Sequence, residues 1–222
     1  MESVWPTDAQ SLIAAQEDVA AMTTEPWRPS GSPEVGGCWV CFTRGLTGPG
    51  AAGDPAWSAA VVLRDGRVVE SRVEQGSTAS SYRPGLLALR MGPVMEAAVR
   101  GLRRRPDVLL LDATARDHPR GAGLALHLGQ VLDLPTVGVT HRPLVGRGDW
   151  PGDERGAARP VRIGDQVVGC WLRTRPGTRP LVVHPGWQVD LETAIAVVLE
   201  SAVRRTPEPL RQARRLAREA RG

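Results

Sequence analysis

A short apolar run, Val108-Leu109-Leu110-Leu111, delivers Asp112 to the carboxyl end of what reads as a buried β-strand, and Arg116, His118 and Arg120 follow closely. An aspartate at the end of such a strand serves a metal ion or a proton transfer, since the carboxyl ends of α/β strands are where ligands are met. A hard cation takes several oxygen ligands, so Asp112 should have companion carboxylates. The candidates are Asp117, Glu96 and Asp190. Asp117 lies five residues along an irregular turn, Glu96 lies in a helical stretch, and Asp190 reads as a helix cap. Sequence spacing brings none of them to Asp112. Cys38 and Cys41 form C-x-x-C, but within an extended run positions three apart face opposite sides, which argues against a redox pair or a metal knuckle.

The elements that must position these residues follow from pattern. Thr7 and Gln10 have capping-box spacing ahead of apolar positions that run to about Met22, so a helix opens the chain. TTEPWRPSGSPE, residues 23–34, is a Pro- and Ser-rich linker. CWVCF, AWSAAVVL and RVVESRV read as three short strands in an antiparallel meander, with Arg64-Asp65-Gly66 the clearest turn. A helix over 95–104, the VLLL strand, a helix over 123–132 and the strand PTVGVT then form a β-α-β unit with a right-handed crossover. PVRIGDQVVGCWLRT is a hairpin turning at Gly164-Asp165, and RPLVVHPG is a further strand. Asp190 caps a helix to about Arg205, and a basic helix over 210–220 closes the chain. No internal repeat is present.

Composition bounds the answer. The 222 residues suit one domain, divided into an N-terminal helix (1–22), the linker (23–34), a core (35–205) and the basic C-terminal helix (206–222). Mean hydropathy is −0.21 and no apolar stretch is long enough to span a bilayer. MESVWPTDAQ has neither a basic region nor a hydrophobic core of a secretory signal, so the cytoplasm is the expected location and no membrane partner is expected. Net charge is +4, and all 28 cationic side chains are Arg. Arginine binds phosphate through two donors at once. The same bias towards Arg, Ala, Gly and Pro also arises from base composition alone, and the runs at Arg103–Arg105 and Arg211–Arg221 read as helix C-terminal ends, where cations offset the dipole.

A meander followed by β-α-β segments is the pattern of an RNase H-like domain: α/β, with a mixed sheet flanked by helices. Specific residues carry the likeness further. SYRPGLLALRMGP (81–93) resembles the Tyr-x-Pro-Gly-Leu-Leu-Ala-Phe-Arg-Glu-x-Pro element of the endonuclease V family. LLLDATARDHPRGAGLALHLGQVLDLPTVGVTHRPL resembles its Asp-Gly-x-Gly-x-x-His-Pro-Arg element, the following helix and its Pro-Thr-Ile-Gly-Val-Ala-Lys strand. VGCWLRTRPGTRPLVVHPGWQVDLETAI resembles its C-terminal hairpin and Ser-x-Gly-His-Arg turn. The resemblance implies a metal-dependent nuclease that binds deaminated bases, chiefly inosine, with Mg²⁺ held by carboxylates.

Those ligands are largely replaced. The family's first aspartate falls on Trp39, its glutamate on Met91, its C-terminal histidine on Trp187 and its lysine on His141; Asp112 is kept. Indole and thioether offer Mg²⁺ nothing. Tyr82, the chain's only tyrosine, occupies the wedge position that stacks on bases, and Arg90, His118 and Arg120 match positions near the site. Ala113 and Ala115 replace two glycines, and their methyl groups are expected to obstruct a ligand. Trp39 and Cys41 share a strand face, so Asp112, His118, His141, His184 and Cys41 are expected to line an aromatic-walled pocket suited to acid–base or nucleophilic chemistry without metal or cofactor. Trp39, Tyr82, Arg90, Met91, Arg120, Trp187 and His184 are the expected ligand contacts. Trp39 or Trp187 should place its indole within reach of Asp112, taken as a buried carboxylate in need of donors.

The resulting expectation is an endonuclease V-like domain without metal-dependent nuclease activity. Its first form is a metal-independent biosynthetic enzyme, or a subunit with a protein partner, acting on a small or carrier-bound metabolite. Its second is a non-cleaving binder of nucleic acid carrying deaminated bases, and its third an active inosine-specific endonuclease.

Overall fold

The computed structural model describes residues 5–46 and 48–222; the reading of the first four residues as free of a signal, and the start of the N-terminal helical segment at residue 1, lie outside the described residues. Eight strands form one mixed sheet in the order β3-β2-β1-β4-β5-β8-β7-β6. β1 (Val35–Phe42), β2 (Pro55–Arg64) and β3 (Arg67–Ser77) make the expected antiparallel meander. β4 (Val108–Leu111) pairs in parallel with both β1 and β5 (Thr136–Thr140). β8 (Leu181–Pro185) adds to β5 antiparallel, and the hairpin β6 (Ala158–Ile163)–β7 (Gln166–Leu172) completes the far edge. The mixed sheet flanked by helices is as expected from pattern.

Alternation along the central strands assigns the layers. Leu109 and Leu111 pack into the cluster beneath α1 (Ala9–Ala21), α2 (Leu87–Arg100) and α3 (Leu124–Leu132). Val108 and Leu110 face the opposite way, towards α4 (Leu191–Ser201) and α5 (Glu208–Arg221). The Asp190 carboxylate accepts from the Thr193 amide at 2.8 Å, capping α4 as read from sequence. α5 lies against β1 and β2 because Gly37 leaves room: a Cβ there would sit 2.4 Å from the Pro209 backbone.

Several boundaries differ from expectation. The cap of α1 is Asp8, whose carboxylate accepts from the Ser11 amide at 2.9 Å, and Thr7 is not. Either residue fits the pattern, and the hydrogen bond decides it. α2 begins at Leu87, eight residues before the helix read from periodicity, and ends at Arg100, leaving Arg103–Arg105 beyond it. Pro93 lies inside α2 and withholds one backbone donor there, but burial of Leu89, Val94, Met95 and Val99 holds the helix together. The arginines of α5 start in its first turns at Arg211 and Arg214 and run to Arg221, so they are a helix face rather than a C-terminal cluster.

Candidate functional site

Because β1, β4 and β5 run parallel, their carboxyl ends share one edge of the sheet. Trp39 alternates with Gly37 and Cys41 to face α5, and Asp112 continues the alternation of Val108 and Leu110 to the same side. The Trp39 Nε1 accordingly donates to Asp112 Oδ2 at 3.3 Å. The guanidinium carbons of Arg214 and Arg218, one helical turn apart, stand 5.5 and 5.4 Å from the Trp39 ring. His141 lies beside them, its Nδ1 accepting from Arg205 at 3.2 Å. These residues enclose a cavity of about 30 Å³ lined by Trp39, Asp112, Val139, His141, Leu181, Thr206, Leu210 and Arg214. The expected indole contact is present, but Asp112 is exposed rather than buried, because the ladder ends at Leu111.

Other expected members lie elsewhere. His184 is buried beneath the opposite face of the sheet, with Nε2 on the Thr140 hydroxyl at 2.9 Å. The alternation of β8 puts Val183 towards α4 and its neighbour His184 away from Asp112. Trp187 follows the end of β8 that pairs with the start of β5, at the opposite edge from Asp112, and its indole donates to Asp133 at 3.4 Å. Ala113 and Ala115 bury their methyl groups in the α1–α3 core, so they obstruct no ligand. The Cys41 thiol sits under α5, donating to the Ala217 carbonyl at 3.3 Å, and burial raises its pKa against the pull of Arg221 and Arg218. It is packed as a thiol, not poised as a nucleophile.

His118 and Arg120 act through the turn that bears Tyr82. Gly85 takes a positive φ of 73° there, and its carbonyl accepts from Arg120 at 2.5 Å, from His118 Nε2 at 3.1 Å and from Gln16 at 3.2 Å. His118 Nδ1 accepts from the Arg120 amide at 3.2 Å. The imidazole is therefore neutral with its proton on Nε2, and burial, with Arg120 close by, pushes it down to about 4. This lock holds Tyr82, which is 46% exposed. Arg90 is likewise spent: it donates to the carbonyls of Ala51 at 3.0 Å and Ser80 at 2.8 Å, pairs with Asp54 at 2.9 Å and covers the Phe42 ring at 4.5 Å.

The donor set does not suit Mg²⁺. Asp117 is fully buried, and its carboxylate accepts from the amides of Leu144, Val145 and Gly146 at 2.7, 2.9 and 2.7 Å. Glu96 accepts from the Trp5 indole at 2.7 Å and pairs with Arg100. Among the described residues no group of three or more His, Cys, Asp or Glu side chains is arranged to hold a metal. Asp112 stands as a lone carboxylate beside an indole, which is a poor site for an octahedral oxygen-seeking ion.

What sequence reading missed is the surface next to this edge. An open groove of about 780 Å³ is lined by Arg44, Arg204, Arg205, Arg211, Arg214, Arg215 and Arg218, with Glu219 the one acidic wall among the described residues. Glu208 pairs with Arg211 and Glu219 with Arg215, whereas Arg214 and Arg218 form no ion pair among the described residues and bracket Trp39. The signal was available: positions 211, 214, 215 and 218 repeat at three and four, which is one helix face.

Comparison with known proteins is consistent over nearly the whole chain. Residues 34–215 match the family model described as Endonuclease V. The endonuclease V of Roseiflexus castenholzii is 37% identical over 222 residues, covering 98% of this chain and 95% of that protein. The crystal structure of endonuclease V from Streptomyces avermitilis superposes with a TM-score of 0.88 at 35% identity, over 98% of this chain and 94% of that one. The Ciona intestinalis endonuclease V, solved in complex with a 24mer DNA containing an inosine followed by a ribo-adenosine, superposes with a TM-score of 0.80 at 21% identity, covering 95% and 96% of the two chains, which is a likeness of fold.

Proposed function

As the chain belongs to the endonuclease V family, we propose that it binds nucleic acid along the arginine groove and the Asp112 edge, without metal-dependent cleavage. The observation that carries this reading is the groove itself: seven guanidinium-bearing walls against one carboxylate, opening beside Trp39 and Asp112. Such a surface attracts a phosphate backbone whatever its sequence. The DNA held by the Ciona relative supports the same class of partner. The absence of cleavage rests on the donor set, in which Trp39 and Met91 stand where the motif resemblance puts carboxylates. A metabolite-converting enzyme at Asp112 is less well supported, since a cavity of about 30 Å³ has room for about one or two waters rather than a substrate.

The test is fluorescence anisotropy of a labelled single strand carrying one inosine, alongside its adenosine counterpart, followed by gels with Mg²⁺ and with Mn²⁺. With roughly five phosphates neutralised, affinity should weaken about a hundredfold between 50 and 200 mM salt. No cleavage product should form. Binding that ignores salt, or no binding, overturns the first half of the reading; metal-dependent cleavage overturns the second. The paired variant Arg214→Glu, Arg218→Glu should weaken binding by about tenfold or more and flatten the salt dependence. Unchanged affinity in that variant would move the interface off α5.

A further inference from the structure

We propose that β3, the long unpaired edge of the sheet, pairs antiparallel with β3 of a second copy of this chain about a two-fold axis at Val73, joining two sheets into one. The inference goes beyond the nucleic-acid reading and does not depend on it. A sheet edge presents a row of unpaired backbone donors and acceptors, and folded proteins protect such edges unless they are used.

The two edges of this sheet differ. β6 spans six residues and contains Pro160, which has no donor to offer. The preceding connection also bonds to it, Arg147 to Arg162 at 2.9 and 2.8 Å. β3 spans eleven residues without a proline, and its only strand neighbour among the described residues is β2. No other described segment bonds to its backbone.

The order of side chains along this edge selects the occupant. When identical strands pair antiparallel, the central residue meets its own copy. A centre at Glu70, Arg72 or Glu74 therefore sets like charges against each other. A centre at Val73 sets Arg72 opposite Glu74 twice and Val73 opposite Val73. Within each copy Arg72 already donates to Glu74 at 2.7 Å. Across the axis the four groups then alternate in sign around a square, each charge beside two of the opposite kind. Val73, half-buried against the cluster of Cys41, Ala59 and Ala217, meets its copy on the other face.

A centre at Ser71 would also oppose Glu70 to Arg72, but it draws Val69 into the paired stretch. Val69 has no partner on β2, because Val62 pairs with Glu70 and Leu63 with Val68, and such a bulge bends and twists the strand. The Val73 centre uses only residues 70–76, beyond the bulge. An axis normal to the sheet keeps α5 of both copies on one face, so both arginine grooves lie on the same side of the joined sheet.

Sedimentation velocity of the full chain tests this. A ladder over residues 70–76 buries little area, so a dimer with a Kd of about 10–100 µM is expected. Arg72→Glu alone and Glu74→Arg alone each set like charges opposite one another and should weaken the dimer about tenfold or more. Both side chains reach solvent, 51% and 27% exposed, so circular dichroism should show the fold unchanged. The two single variants, mixed in equal amounts, should pair with each other, since each then faces the opposite charge. Both substitutions in one chain should restore self-association. A chain that stays monomeric at about 500 µM overturns the proposal. A dimer indifferent to both single variants overturns its assignment to β3. Loss with Arg72→Glu but not with Glu74→Arg overturns the Val73 register, and single variants that weaken the dimer without pairing with each other overturn it as well.

Discussion

Asp117→Ala is expected to lower unfolding free energy by about 3 kcal/mol, since hydrogen bonds to a charged acceptor contribute about 1.5–3 kcal/mol each and the partly exposed loop can recover some of the loss through water. The Asp117 carboxylate is fully buried and accepts from three consecutive amides, those of Leu144, Val145 and Gly146. These residues lie near the start of the long connection between β5 and β6, a segment with few ladder bonds of its own. Truncation removes the shared acceptor of three amides whose inner side faces the buried Asp117 position. Asp117→Asn keeps one acceptor oxygen but turns an amide donor towards the other amides, so it should cost about 2 kcal/mol. Urea denaturation measures both losses, and hydrogen exchange at residues 144–146 reports the local opening. Stability unchanged in the alanine variant would mean that the loop is held by something else.

Acidification should destabilise the protein well before the carboxylates titrate. Burial pushes the imidazoles of His118 and His127 down to about 4 and lowers that of His184 as well, although Asp117 pulls His184 the other way. In the unfolded chain each titrates near the ordinary value of about 6.5. Between about 6.5 and 4 the unfolded state therefore binds more protons than the folded one. Stability is complete above about pH 6.5 and is lost as pH falls towards about 4. With three such groups the total loss is on the order of several kcal/mol, a large part of the usual 5–15 kcal/mol (roughly) of a folded domain. The urea midpoint measured from pH 7.5 to pH 4.5 should fall steadily. His127, which stacks on Trp5 at a ring separation of 4.8 Å, allows a control: His127→Phe keeps the stack and should reduce the slope by about a third. A flat profile over that range would show that the three imidazoles are not held neutral by burial.

Both effects belong to residues whose importance the sequence conceals. Asp117 reads as one more candidate carboxylate for Asp112, and its side chain turns out to face the other way. His118, a motif residue, hydrogen-bonds the carbonyl of Gly85 in the turn that bears Tyr82.

The linear chain determined a good deal. Period-two and period-3.6 patterning placed the strands and helices, because burying one face of each element is a local requirement that any window of residues reveals. The shared face of Trp39 and Cys41 followed from strand alternation; the contact of Trp39 with Asp112 was expected as well, but for a buried carboxylate rather than the exposed one found. Tertiary structure decided the rest. Which sheet face a histidine occupies depends on register across several strands, and so His184 and Trp187 left the site when β8 paired antiparallel with β5. That Asp112 is exposed depends on where the β4 ladder ends. The arginine groove exists only because α5 docks across β1 through Gly37 and sets its basic face beside Arg44, Arg204 and Arg205, residues far apart in the chain. A charge counted in composition becomes a surface only when packing brings its neighbours to it.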